Sequence, residues 1–99
     1  MSKIKDLPKY VRPREKALTY GIDSLSDSEL LALLIGSGGK DNNVIDIANS
    51  LLSRYGDLYS LSTANQNDLL SVKGLGKVKV LELLTVFLLA KRINEYRLL

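Results

Sequence analysis

The chain of 99 residues contains no cysteine and no histidine. Without cysteine there is no disulfide and no thiolate nucleophile, and the compartment defaults to the cytoplasm. Without histidine the commonest metal ligand and the usual general base are missing. Long apolar runs are also missing: the longest, Leu83 to Ala90, is interrupted by Thr85. That is far short of the roughly 20 residues of a membrane span. Residues 1–16 are basic and mixed, unlike a secretory leader. The acids of the middle region, Asp23, Asp27, Glu29, Asp41 and Asp46, show no spacing of paired catalytic carboxylates. A cytoplasmic domain that is not an enzyme by itself is expected, with no membrane partner.

What is present is one domain's worth of apolar residues, 45% of the chain, enough for a single core. The net charge of +3 is unevenly spread. Residues 1–16 carry six Lys/Arg against two acids, residues 17–70 two against seven, and residues 71–99 six against two. Basic ends around an acidic middle favour a polyanion partner, although the same charges also serve solubility.

Nearly every segment reads as helix. Pro13 at a first helical position and Gly21 as a stop bound a helix from Pro13 to Tyr20. Ser26-Asp-Ser-Glu29 is a capping box opening Leu30 to Ile35, a run apolar on all sides and expected to be buried. Val44, Ile47, Ala48, Leu51, Leu52 and Tyr55 trace one helical stripe, with Asn43 as its cap and Gly56 its stop. A short turn of helix follows at Leu58 to Leu61, and Asn65 with Asp68 starts two helical turns ending near Val72. The final helix, Lys77 to Tyr96, has more apolar positions than a surface stripe needs, so it should sit centrally or meet a partner. No segment alternates with period two, and no strand is predicted.

A shift of 38 positions lays Gly36-Ser37-Gly38 over Gly74-Leu75-Gly76, with a long helix after each. This weak repeat is consistent with two helix-hairpin-helix units, the first degenerate, or with two unrelated helices stopped by glycine. In the second unit Gly74 and Gly76 open backbone conformations closed to other residues, and Leu75 can wedge between the flanking helices. The amides of Gly76, Lys77 and Val78 then stand at a helix start, where the dipole favours an anion. Lys73, Lys77 and Lys79 add positive charge that attracts phosphate without reading sequence. A plain interhelical turn with a solvated lysine rim is the competing reading. Arg12, Arg14 and Lys16 are a second basic patch, open to a structural or a phosphate-facing role, and Tyr10 is a candidate stacking residue.

Arg12-Pro-Arg-Glu-Lys16, Leu25-Ser-Asp-Ser-Glu-Leu-Leu31, Val44 to Leu52, Val72-Lys-Gly-Leu-Gly76 and Ala90-Lys-Arg92 occur in this order. Together they resemble the N-terminal domain of the RadC family of bacterial proteins, over roughly residues 7–93. The chain departs from that pattern at Lys77, Val80 and Leu88, where the family usually has Pro, Ala and Glu. The resemblance implies an all-α fold: a compact bundle of five or six short helices in tandem helix-hairpin-helix form, SAM/RuvA-C-terminal-like. It would span residues 13–96 behind a basic arm at 1–12. It implies a DNA-binding accessory role linked by name to DNA repair, with Gly74, Leu75, Gly76, Lys73, Lys77 and Lys79 on phosphates and Gly36, Ser37 and Gly38 as a secondary hairpin. No cofactor is expected beyond a monovalent cation that hairpin carbonyls could hold. The family's JAB/MPN domain, with its zinc site, lies outside this chain and is an expected partner. The alternative is an interaction module that positions that domain or forms a homodimer without binding DNA.

Overall fold

The helices begin and end where local chemistry satisfies their backbones. A computed structural model describes residues 12–36 and 44–97, and all its regular elements are helical. They are α1 (Pro13–Tyr20), α2 (Asp27–Ile35), α3 (Val44–Tyr55), α4 (Leu58–Ser62), α5 (Gln66–Leu70) and α6 (Lys77–Arg97). A 3-10 turn, Ile22–Ser24, links α1 to α2. None of the described helices is long and apolar enough to cross a membrane.

Pro13 occupies the first turn of α1, and Gly21 closes it by donating its amide to the Ala17 carbonyl. The capping box of α2 is complete: Ser26 Oγ accepts from the Glu29 amide at 3.1 Å, and Glu29 Oε1 accepts from the Ser26 amide at 2.9 Å. Asn65 caps α5 by accepting from the Asp68 amide at 2.8 Å. A cap not expected from the sequence opens α4, where Asp57 Oδ1 accepts from the Ser60 amide at 2.7 Å. The expected cap Asn43 lies outside the described residues.

The core is aliphatic. Leu31, Ala32 and Ile35 of α2 meet Val44, Ala48 and Leu51 of α3, with Leu61, Leu69, Leu75, Val80 and Leu83 closing the cluster. Leu51, Leu61, Leu69 and Leu83 are wholly buried. Cutting any of them back to alanine should cost about 2–5 kcal/mol. Ser28 Oγ donates to Asn49 Oδ1, a polar tie between α2 and α3 outside this cluster.

Two apolar stretches depart from expectation. The run Leu30 to Ile35 is not buried all round, since Leu30 is exposed and Leu33 and Leu34 are half-buried. Of the two placements expected for α6, central or against a partner, the central one does not hold within the chain. Val80 and Leu83 are buried and Leu84 and Phe87 lean on the core, but every residue from Leu88 to Arg97 is exposed. At 1.5 Å per residue this helix is about 31 Å long, and its second half runs clear of the body.

The turn between α5 and α6 explains why α5 ends two residues earlier than expected. Ser71 and Val72 donate their amides to the Asp68 and Leu69 carbonyls, tightening the chain into i→i+3 bonds. Leu75 then donates to Val72 at 3.1 Å and drops into the core at 6% exposure. Gly74 makes this descent possible with φ of +95°, and a Cβ there would stand 2.7 Å from Ile47 Cδ1 of α3. Gly76 has neither demand: its φ is not positive, and a Cβ would meet nothing within 4 Å.

Gly74→Ala should therefore lose about 2 kcal/mol or more in denaturant unfolding, while Gly76→Ala stays within about 0.5 kcal/mol of wild type. Equal losses would show that the Ile47 contact does not set the turn. A second prediction concerns acid. The Ser26 amide holds the Glu29 carboxyl below its ordinary 4.5; partial burial opposes this, and the Lys16 ammonium adds to it. The folded state thus binds that proton less readily than the unfolded chain, so the contribution is full above the ordinary value and drains away as pH falls through the depressed one. Wild type should be more stable than Glu29→Gln at neutral pH, with the gap closing in thermal melts as pH falls below the ordinary carboxyl value.

Candidate nucleic-acid interface

Backbone geometry at the start of α6 makes the local chemistry. The Gly76 carbonyl accepts from the Val80 amide at 3.0 Å, so Gly76 is the residue flanking the helix and Lys77 is its first member. The amides of Lys77, Val78 and Lys79 therefore occupy the first turn, one position later than expected from sequence. Helix geometry supplies no carbonyl to such amides.

Charge at this helix start runs against the usual rule. Carboxylates at a helix N-terminus are favourable and cations unfavourable, each by about 0.3–1 kcal/mol. Among the described helices, α1, α2, α3 and α5 carry an acid in the first turn, and α4 has Asp57 as its cap. The first turn of α6 has no acid and holds Lys77 and Lys79 instead. Lys73 stands four residues before it on the turn, and both Lys73 and Lys77 are exposed. A bound anion would offset the helix dipole and the lysines at once.

The lysines are not equivalent. Lys79 is half-buried, with Nζ 3.4 Å from Glu82 Oε2 one turn along. Part of its charge is already balanced, which leaves Lys73 and Lys77 as the cations most open to solvent at this turn. Leu75 belongs to the core and contributes shape alone.

The other sequence candidates fall elsewhere. Lys16 Nζ reaches both Glu29 oxygens, at 3.1 and 3.2 Å, and ties α1 to the start of α2. Arg14 is 78% exposed and 3.8 Å from Glu15, and Arg12 flanks the start of α1. Gly36 flanks the end of α2 in ordinary helical geometry, where a Cβ would stand 2.7 Å from the Ala32 carbonyl. Ser37, Gly38 and Tyr10 lie outside the described residues.

One feature was signalled in the sequence only by apolar excess. A groove of about 900 Å³ runs between α2, α4 and α6, lined by Leu30, Leu33, Leu34, Leu58, Val86 and Phe87, with Asp27 and Glu82 also on its wall. Apart from Leu58 of α4, these apolar residues come from the two runs whose all-round apolar character hides any helical period.

The family model described as UPF0758 N-terminal matches residues 4–81. A UPF0758 protein of Clostridium tetani is 42% identical over 95 residues, covering 96% of this chain and 42% of that protein. Relatives from Clostridium botulinum strain Eklund 17B and Clostridium kluyveri are 41% and 39% identical with the same coverage. The chain thus spans less than half the length of the curated relatives it matches. No solved structure matches it significantly. With 78 of the 99 residues inside the matched range, the chain belongs to the UPF0758 N-terminal family, which is related to RadC.

Proposed function

We propose that this domain is a sequence-independent DNA-binding module that acts through a helix-hairpin-helix turn from Ser71 to Lys79. The carrying observation is the first turn of α6, which has lysines where the other described helices place carboxylates. A phosphate oxygen would accept from the amides of that turn, while Lys73 and Lys77 supply attraction without reading bases. Gly76, with open space beside it, lets the phosphate backbone approach closely. Such a module would work in the bacterial cytoplasm and take no catalytic part. Any hydrolase chemistry would belong to the remaining length of its longer relatives. A second reading, a platform for protein association, has the exposed half of α6 in its favour.

Fluorescence anisotropy with labelled duplex and single-stranded DNA over a salt series tests the first reading. Binding with Kd on the order of 10⁻⁴ to 10⁻⁶ M at physiological salt is expected, weakening steeply as salt rises. Lys73→Ala and Lys77→Ala should each lower the salt slope by about one. Gly76→Ala should bind less well while unfolding like wild type. No binding at low salt, or lysine variants indistinguishable from wild type, would exclude the reading.

A further inference from the structure

The distal half of α6 carries apolar side chains in a pattern unused by its own fold. Val86, Leu89, Ile93 and Tyr96 are 41%, 56%, 62% and 79% exposed. Their spacing of three, four and three residues is that of the a and d positions of a helix–helix seam. It is also palindromic about Lys91, so a two-fold axis at that level sets apolar positions opposite apolar positions in an antiparallel helix pair. The stripe is continuous with the groove, since Val86 belongs to both. Together they offer an apolar face on the order of the roughly 800 Å² per partner buried in a standard stable interface.

We propose that this face pairs with the same face of a second copy of the chain, with the two α6 helices antiparallel. The charges select this occupant. Asp27 and Glu82 stand at the groove, while the last turn of α6 carries Arg97, with Glu95 beside it. Within one molecule these groups occupy opposite ends of the exposed stripe and cannot meet along it. In an antiparallel pair Arg97 of each helix lies over the acidic groove of the other, twice by symmetry. Val86 then faces Tyr96 of the second copy, and Leu89 faces its Ile93. Arg97 of the second copy comes to the turn between Glu82 and Val86. A parallel pair would instead set the two Arg97 residues side by side.

The association uses the end of α6 away from the lysine-bearing turn, so it stands or falls separately from DNA binding. Sedimentation velocity on the 99-residue chain, from micromolar to near-millimolar protein and without nucleic acid, should show a reversible monomer–dimer equilibrium. Leu89→Lys and Ile93→Glu replace exposed residues, so their thermal melts by circular dichroism, taken where wild type is monomeric, should match wild type. Each should raise the dimer dissociation constant by about tenfold or more. The cysteine-free sequence permits a register test: a mixture of Val86→Cys and Tyr96→Cys proteins should form the mixed disulfide in preference to either homodimer. A monomer at every concentration overturns the proposal, as does a dimer indifferent to Ile93→Glu. Preferential self-crosslinking at position 86 and at position 96 overturns the antiparallel arrangement.

Discussion

The contact between Gly74 and Ile47 is the constraint on which the second half of the molecule depends. Ile47 Cδ1 stands only 2.7 Å from where a Cβ at position 74 would go, and the backbone there is in the left-handed region. Only glycine meets both conditions without strain. Because the chain turns at that point, Leu75 falls into the cluster shared with α2 and α3, and Val80 and Leu83 follow it from α6. The direction of α6 is then settled by a few residues near its start. The consequence for function is positional: the same turn that buries Leu75 leaves Lys73, Gly76 and Lys77 on the outside.

Anchoring a helix by one end has a second consequence. Val80, Leu83, Leu84 and Phe87 hold the first half of α6, and nothing among the described residues covers the second half. Leucine and isoleucine side chains over half exposed contribute nothing to the stability of a lone copy beyond helix propensity. Burying them against a partner would recover about 25 cal/mol per Å² of apolar surface, less the cost of association. An apolar stripe is a liability for solubility unless it is covered.

Features governed by neighbours in sequence were legible before the structure. The bounds of α1, the capping box of Ser26 and Glu29, and the Asn65 cap rest on bonds spanning three or four residues. The stripe of α3 was legible because only one of its faces meets the core. What could not be read depends on distance in space. Nothing in residues 71–76 announces that Ile47 will press on Gly74, and Lys16 and Glu29 are thirteen positions apart. The groove was hidden for a different reason. Leu30 to Leu34 and Val78 to Leu89 are apolar on every side, so periodicity could not say which faces would be left open. Asp57 as a cap is masked in the sequence by the adjoining stop at Gly56, though its spacing to Ser60 is the ordinary one for a helix start.

The two proposed activities use opposite ends of one rigid element, and their geometry interacts. An antiparallel pair centred on Lys91 would place each Lys77 fourteen residues from the axis. At 1.5 Å per residue the two lysine-bearing turns would then lie roughly 42 Å apart along the paired helices. That separation is somewhat more than one turn of duplex DNA, about 34–36 Å. A single hairpin making a few phosphate contacts binds weakly, since each contributes only a counterion-release term. Two hairpins on one rigid scaffold would meet the same duplex with the second contact already at high effective concentration. Pairing through α6 would thus turn two weak, sequence-blind contacts into one strong enough to matter, without any new residue touching the DNA.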